Sequence, residues 1–142
     1  MDEVIETDKA KVDRWLEAYV AAWKSYDRGE IAALFSEDVS YRYHPYDEPV
    51  RGRDAVVASW LGEGDAAGAS ARDEPGTYEA SYRTIAVDGD TAVATGRSRY
   101  RPSPGAPSHR VYHNCFVMRF DERGRCREFT EWYIEQPDPP RA

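Results

Sequence analysis

Two side chains in the C-terminal third of the sequence are able to move protons. His113 lies inside the β-rich run HRVYHNCFVMRF, and Glu131 lies in FTEWY. An imidazole titrates near neutral pH and a carboxylate accepts or returns a proton, so the two predict general acid–base chemistry if they face one pocket. The alternatives are a histidine that is structural or faces solvent, and a glutamate in a weak surface ion pair with Arg119 or Arg127.

The pairing of the last two predicted strands decides whether His113 and Glu131 cooperate. With an unbroken register, His113 faces Tyr133. Cys115 then faces Glu131, and the four side chains share one surface. A one-residue slip instead puts Asn114 opposite Glu131 and turns His113 to the other face, because side chains alternate along a strand. A β-bulge would change the pairing again, and the sequence leaves these alternatives open.

Two further residues are candidates for proton transfer. His44 ends the first predicted strand, where it either lines the mouth of a pocket or is an exposed strand end. Tyr19 lies on the first predicted helix, where it either packs in the core or reaches a pocket and donates to an oxyanion. We expect no metal ion, since the three histidines, His44, His109 and His113, lack closely spaced acidic partners.

Aromatic residues supply most of the predicted ligand contacts. The 142 residues include ten Tyr, four Trp and four Phe, and aromatics make up 13% of the chain. Tyr and Trp combine an apolar ring with one polar group, which suits a partly wet cavity or an interface as well as a core. The predicted substrate-binding residues are Trp15, Trp23, Tyr41, Tyr43, Trp60, Tyr82, Arg99, Asn114, Phe116 and Tyr133.

The only cation in that set, Arg99, belongs to the run GRSRYR. Arg97, Arg99 and Arg101 alternate there along one face of a predicted strand. Three cations on one face usually indicate a solvated face. If the face looks inward, Arg99 would bind a substrate carboxylate or enolate.

The N-terminal half of the sequence predicts the helices that position these residues. Apolar side chains at three- and four-residue steps from Lys9 to Tyr26 indicate an amphipathic helix, capped by Asp8 or Thr7. Three more elements follow, predicted as a short helix over Glu30–Phe35, a strand over Val39–His44 and a helix from after Gly52 to about Leu61.

The C-terminal half predicts an antiparallel meander. Two turn signals, DGD and DERG, each separate two β-rich runs. The predicted strands are Thr77–Val87, Thr91–Arg101, Arg110–Phe120 and Arg125–Ile134. The stretch 62–76 lacks periodicity and is either a flexible loop or a lid over a site. Helices followed by such a meander predict an α+β domain whose curved sheet leaves a hollow.

Length and charge exclude several classes of protein. A chain of 142 residues fits one domain, and a net charge of −7 argues against binding to nucleic acid or to anionic membranes. No apolar run approaches the roughly 18 residues of a membrane span. The acidic start, MDEVIETDK, is unlike a secretion signal, so we expect a cytoplasmic protein. Cys115 and Cys126 are expected to be reduced thiols, and residues 1–7 and 137–142 flexible termini.

Four segments resemble the nuclear transport factor 2-like superfamily, in the same order. They are VDRWLEAYVAAWKSYDRGEIAALFSEDVSYRYHP, VRGRDAVVASW, VDGDTAVATGRSRY and NCFVMRFDERGRCREFTEWYIEQP. The chain is most similar to the SnoaL-like branch, which includes polyketide cyclases. The resemblance implies a cone, in which a bent antiparallel or mixed sheet wraps around three N-terminal helices and encloses a pocket.

The resemblance also implies two kinds of function. In the first, an acid–base pair drawn from His113, Glu131, His44 and Tyr19 acts without metal or cofactor on a small apolar or cyclic molecule. Isomerisation, cyclisation, dehydration and hydrolysis all fit such a pair. In the second, the chain is a non-catalytic ligand-binding or dimeric interaction module. Relatives often form homodimers through the sheet, and we expect the same partner here.

Overall fold

Three helices form one side of the part of the chain that the computed structural model describes, residues 6–63 and 72–137. Helix α1 spans Lys9–Ser25, as predicted, and Asp8 caps it by accepting a hydrogen bond from the Lys11 N–H at 2.8 Å. Helix α3 spans Arg53–Leu61, again as predicted. Most of the predicted loop or lid, and most of the predicted flexible termini, lie outside the described residues.

The second helix begins earlier than predicted. Helix α2 spans Arg28–Ala33, because Asp27 caps it by accepting from the Glu30 N–H at 2.9 Å. The sequence DRG had suggested only an interruption between helices. Tyr26, between the two helices, has a φ of 49°, a left-handed conformation that bulky residues rarely adopt.

Six strands form one mixed sheet in the order β2-β1-β6-β5-β4-β3. Their bounds are Phe35–Arg42 for β1, Val50–Arg51 for β2, Tyr78–Asp88 for β3, Thr91–Tyr100 for β4, Arg110–Phe120 for β5 and Cys126–Glu135 for β6. β1 pairs with β6 in parallel, and the other neighbours are antiparallel. The helices followed by a bent mixed sheet confirm the α+β prediction and the cone that the resemblance implied.

Strand β1 starts four residues before the predicted strand. The polar run Ser36-Glu37-Asp38 hid its beginning, because it breaks the alternation that indicates a half-buried strand. Phe35 nevertheless pairs with Cys126, and the Cys126 N–H donates to the Leu34 carbonyl at 2.9 Å. Strand β2 has only two residues and was not predicted.

A bulge changes the pairing of β5 with β6. Phe120 is opposite Cys126, but Arg119 is opposite Glu128, so Arg127 is the extra residue. Beyond the bulge the register stays shifted by one residue, so that Asn114 is opposite Tyr133. The unbroken register, which would have put His113 and Glu131 on one surface, is therefore wrong.

The core lies between the helices and the inner face of the sheet. Trp15 is central to it: its indole N–H donates to the Leu34 carbonyl at 2.9 Å, and its ring meets Phe35 and Phe120 edge to face. Asp13 ties α1 to β3 by accepting from the N–H and the hydroxyl of Thr84, at 2.9 and 2.6 Å. These contacts hold the helices over one end of the sheet and leave a cavity at the other.

Candidate functional site

The cavity has a volume of about 750 Å³ and is bounded by α1, α3, β1 and the long strands β3 to β6. Its wall is mainly aromatic. The buried or half-buried rings nearest the core are Tyr19, Tyr41, Tyr43, Trp60 and Tyr82. The remaining rings line the more open part of the cavity. They are Trp23, Tyr26, Tyr100, Tyr112 and Tyr133. The other residues of the lining are polar or charged.

Glu131 is the carboxyl group that β6 presents to this cavity. Burial raises its pKa from 4.5 to about 7, while a hydrogen bond from Asn114 and the charge of His44 act in the opposite direction. The Asn114 amide donates to Glu131 Oε2 at 2.7 Å, and Asn114 Oδ1 accepts from the Ser98 hydroxyl at 3.1 Å. Asn114 and Ser98 are 7% and 3% exposed, so this chain of hydrogen bonds fixes Glu131 on the wall.

His44, Asp47 and Tyr133 form a second polar group in the lining. With its proton on Nδ1, His44 donates to Asp47 Oδ2 at 2.8 Å, and His44 Nε2 accepts from the Tyr133 hydroxyl at 3.0 Å. The Tyr46 ring stacks on the imidazole at 5.1 Å. Tyr133 lies two residues after Glu131 on the same face of β6. The arrangement can pass a proton between the cavity and solvent.

Tyrosine hydroxyls supply neutral hydrogen-bond donors deeper in the cavity. Tyr19 and Tyr41 bring their hydroxyls within 3.4 Å of each other, and the Tyr43 hydroxyl lies 2.6 Å from Ser59 Oγ. Burial raises the pKa of all three tyrosines, so they stay protonated at neutral pH. Such hydroxyls can stabilise a carbonyl oxygen on which negative charge develops.

Asp73 brings a third carboxylate to the cavity from the segment before β3. It accepts from the Trp23 indole at 3.0 Å and from the Tyr26 hydroxyl at 3.4 Å, and its own N–H donates to that hydroxyl at 2.9 Å. Sequence reasoning missed Asp73, since it lies in the aperiodic stretch before β3. It also missed Tyr26. The lack of a glycine directly after α1 was a signal, because it means that another residue, here Tyr26, takes the left-handed conformation at the helix end.

Most of the predicted site residues line the cavity. Those that do are Tyr19, Trp23, Tyr41, Tyr43, His44, Trp60, Tyr82, Asn114, Glu131 and Tyr133. The predicted set thus comes together at one end of the fold, with Glu131 and Asn114 in direct contact.

Four predicted site residues lie elsewhere. His113 lies on the outer face of the sheet, because side chains alternate along β5, and its Nε2 lies 3.0 Å from Gln136 Oε1. The bulge in β6 instead brings Glu131 to the inner face. Arg99 lines a groove on that same outer face, as the solvated alternative implied. Trp15 and Phe116 are 6% and 1% exposed and belong to the core, because their rings fill the space below the cavity floor.

Two features are absent from the residues that the structure describes. Residues 6–63 and 72–137 contain no group of three His, Cys, Asp or Glu side chains arranged to hold a metal ion. None of the helices in these ranges is long and apolar enough to cross a bilayer.

Solved structures of similar fold include proteins from three bacteria. A candidate ketosteroid isomerase from Kribbella flavida DSM 17836 superposes with a TM-score of 0.62 at 19% identity, over 96% of this chain and 87% of that one. An LEH-like epoxide hydrolase from M. tuberculosis gives 0.60 at 16% identity, over 90% and 86%. An NTF2-like protein of unknown function from Mesorhizobium loti gives 0.57 at 20% identity, over 93% and 99%. At these identities the likeness concerns the fold.

The sequence itself also matches a family. No curated protein matches the chain in sequence. The SnoaL-like domain, however, matches residues 16–129, which include the cavity residues from Tyr19 to Asn114 but not Glu131 and Tyr133. The fold is one that small-molecule-binding relatives share. The resemblance noted in the sequence is thereby confirmed, and the chain belongs to the SnoaL-like domain family of the nuclear transport factor 2-like superfamily.

Proposed function

We propose that the chain is an enzyme that moves a proton on a small, largely apolar or cyclic organic substrate, with Glu131 as the general base. One observation carries this proposal: a carboxyl group with a pKa raised to about 7 lies on the wall of an aromatic cavity. A base whose pKa is close to the working pH is present in both protonation states, which is the condition for efficient proton transfer. Perturbed carboxyl groups of this kind cluster at functional sites.

The geometry supports a definite division of roles. Ionised Glu131 takes a proton from a carbon next to a carbonyl group, and the electron pair of the C–H bond moves onto the carbonyl oxygen. The hydroxyl of Tyr19 or Tyr41 donates to that oxygen. Glu131 then returns the proton to another atom of the same substrate, so the reaction needs no further reagent. Asn114 orients Glu131, and His44 with Tyr133 exchanges protons with solvent.

A generic probe tests this proposal before the natural substrate is known. 5-Nitrobenzisoxazole is a small aromatic bicycle that opens when a base removes its C–H proton and the N–O bond breaks, and the phenolate product absorbs visible light. We expect catalysis that rises with pH and reaches half its maximum near pH 7, because only the ionised carboxylate acts as the base. Glu131→Gln should lower the rate by about 100-fold or more.

Glu128→Gln is the matched control for this experiment. Glu128 lies on the same strand but on the outer face, opposite Arg119, so its removal changes the net charge equally without touching the cavity. Its rate should stay close to that of the unchanged protein. Catalysis that survives Glu131→Gln, or that shows no rise with pH, would contradict the assignment of the base.

A second candidate function is association through the sheet, and the outer face of β6 favours it. Trp132 and Ile134 are 43% and 74% exposed there. Arg97 and Arg99 share this face and form no ion pair with any described residue, although the chain as a whole is acidic. Apolar and cationic groups together suit a protein partner, and a second copy of this chain is the partner that we propose.

A further inference from the structure

Three carboxylates line the cavity, and one of them, Asp47, is paired with His44. Of the other two, Glu131 enters from β6 and Asp73 enters from the segment before β3. Tyr100 also lines the cavity. Burial raises the pKa of Tyr100, and the negative charges of Asp73 and then Glu131 raise it further. Both carboxylates therefore act on the same hydroxyl group.

Neutral donors hold both carboxylates. Glu131 accepts from the Asn114 amide, and Asp73 accepts from the indole of Trp23 and the hydroxyl of Tyr26. Neither carboxylate forms an ion pair with any residue in the described ranges. The stretch 64–71, next to Asp73, contains no Lys, Arg or His at all.

The cations that line or border the cavity are engaged elsewhere. Arg101 pairs with Glu79 at 3.1 Å, and Arg110 lies 3.7 Å from Glu135. Arg72 donates to the Leu61 carbonyl, and its guanidinium lies over the Tyr26 ring. His44 pairs with Asp47. Within residues 6–63 and 72–137, therefore, no cation forms an ion pair with Glu131 or Asp73, although the charge of His44 favours the ionised form of Glu131.

Aromatic rings make up much of the cavity wall. Organic cations are attracted to the faces of Trp and Tyr rings, and a cage of several rings is a common way to bind a quaternary or protonated amine. An anionic ligand would be repelled by the carboxylates. A neutral ligand would gain at most a hydrogen bond from them, whereas a cation uses both the rings and the charges.

We propose that this cavity binds an amine-bearing cyclic compound, whose ammonium group interacts with the carboxylates of Glu131 and Asp73 and with the aromatic rings of the wall. This inference rests on the proposed function, because it names the class of substrate for the same cavity. It goes beyond that function, since proton transfer by Glu131 requires no charge on the substrate.

The test compares ligands of equal shape and different charge. Benzyltrimethylammonium and its neutral carbon isostere, neopentylbenzene, differ only in the charge of one atom, and binding is measured by calorimetry or by quenching of tryptophan fluorescence. We expect the ammonium to bind about tenfold more tightly than the isostere, and phenylacetate to bind more weakly than both. Equal affinities, or no ammonium binding up to about 10 mM, would overturn the proposal.

Variants then connect the preference to the two carboxylates. Asp73→Asn and Glu131→Gln should each remove most of the preference for the ammonium while leaving the affinity for neopentylbenzene unchanged, which shows that the cavity is intact. Glu74→Gln and Glu128→Gln remove an exposed carboxylate and are the controls for net charge. A preference that persists in the first pair, or that falls equally in all four variants, would contradict the proposal.

Binding and catalysis give separate answers in these experiments. If benzyltrimethylammonium binds selectively but 5-nitrobenzisoxazole does not react, the amine site stands and the assignment of Glu131 as a base fails. If the probe reacts through Glu131 but charge has no effect on binding, the base stands and the class of substrate is wrong.

Discussion

At the scale of single residues, the ionised carboxylate of Glu131 lowers the free energy of unfolding. Its folded-state pKa of about 7 lies above the unfolded value of 4.5, so the folded protein binds a proton that the unfolded chain releases. Stability therefore falls as pH rises from about 4.5 to about 7 and changes no further above that range. Each unit of pKa difference corresponds to about 1.4 kcal/mol, which makes the total cost about 3 kcal/mol. A cost of that size is typical of a group kept for function.

Glu131→Gln should therefore stabilise the protein while it removes the proposed base. The glutamine carbonyl still accepts from Asn114, but it needs no proton to be neutral. We expect the free energy of unfolding to rise by about 3 kcal/mol near pH 8 and by less than about 1 kcal/mol near pH 5. Denaturant titrations at the two pH values measure the difference, with Glu128→Gln as the control. A gain of equal size at both pH values would show that burial does not raise the pKa.

At the scale of elements, β3 and β4 approach each other unusually closely at Gly96. A Cβ atom on Gly96 would lie 2.0 Å from the Ser81 carbonyl oxygen and 2.5 Å from Tyr82 Cδ1. Tyr82 is opposite Gly96 in the ladder, and its ring reaches the cavity wall. The missing side chain thus allows the strand pair to hold Tyr82 over the site.

Gly96→Ala should destabilise this strand pair, because the nearest clash is with backbone that cannot move without breaking the ladder. We expect a loss of about 1–3 kcal/mol or more in the free energy of unfolding, measured by denaturant titration. Thr95→Ala, one residue away and on the other face, should cost much less. If Gly96→Ala unfolds at the same denaturant concentration as the unchanged protein, the close approach is absent.

Element types and order were predictable because they depend on local periodicity and turn chemistry. The three- and four-residue spacing in α1 and the DGD and DERG turns each act within a few residues. The bulge at Arg127 was not predictable from the alternation of β6. At the bulge, Asp90 from another hairpin accepts from both Arg119 and Arg127, at 3.1 and 2.9 Å. These contacts join residues 29 and 37 positions apart, and the bulge beside them places Glu131 and His113 on opposite faces of the sheet.

The difference between local patterns and contacts distant in sequence also explains which parts of the candidate site were predictable. Glu131 and Asn114 were predictable as site residues, because polar residues within a β-rich run suggest a functional role. Their contact was not, since it depends on the bulged register. Asp73 was missed because no periodic pattern surrounds it, and only the folded chain brings it to Trp23.

At the scale of the whole molecule, the inner and outer faces of the sheet have different roles. The inner face carries the core and the cavity, whereas the outer face of β6 exposes Trp132 and Ile134. Exposed apolar side chains beside cations often belong to an interaction site. The expected homodimer would cover this face and leave the cavity open, since Glu131 lies on the opposite side of the strand.

Ile134→Glu tests the proposed dimer without touching the cavity. In a two-fold dimer each substitution appears twice, and two buried carboxylates near the axis would repel each other. We expect the unchanged protein to have twice the mass of one chain by light scattering, and Ile134→Glu to shift it to the mass of one chain at micromolar concentration. Ile85→Glu, on β3 and also exposed, is the matched control and should leave the mass unchanged. A monomeric unchanged protein, or a variant that stays dimeric, would contradict association through β6. Retention of the 5-nitrobenzisoxazole reaction by monomeric Ile134→Glu would further show that one chain contains the complete site.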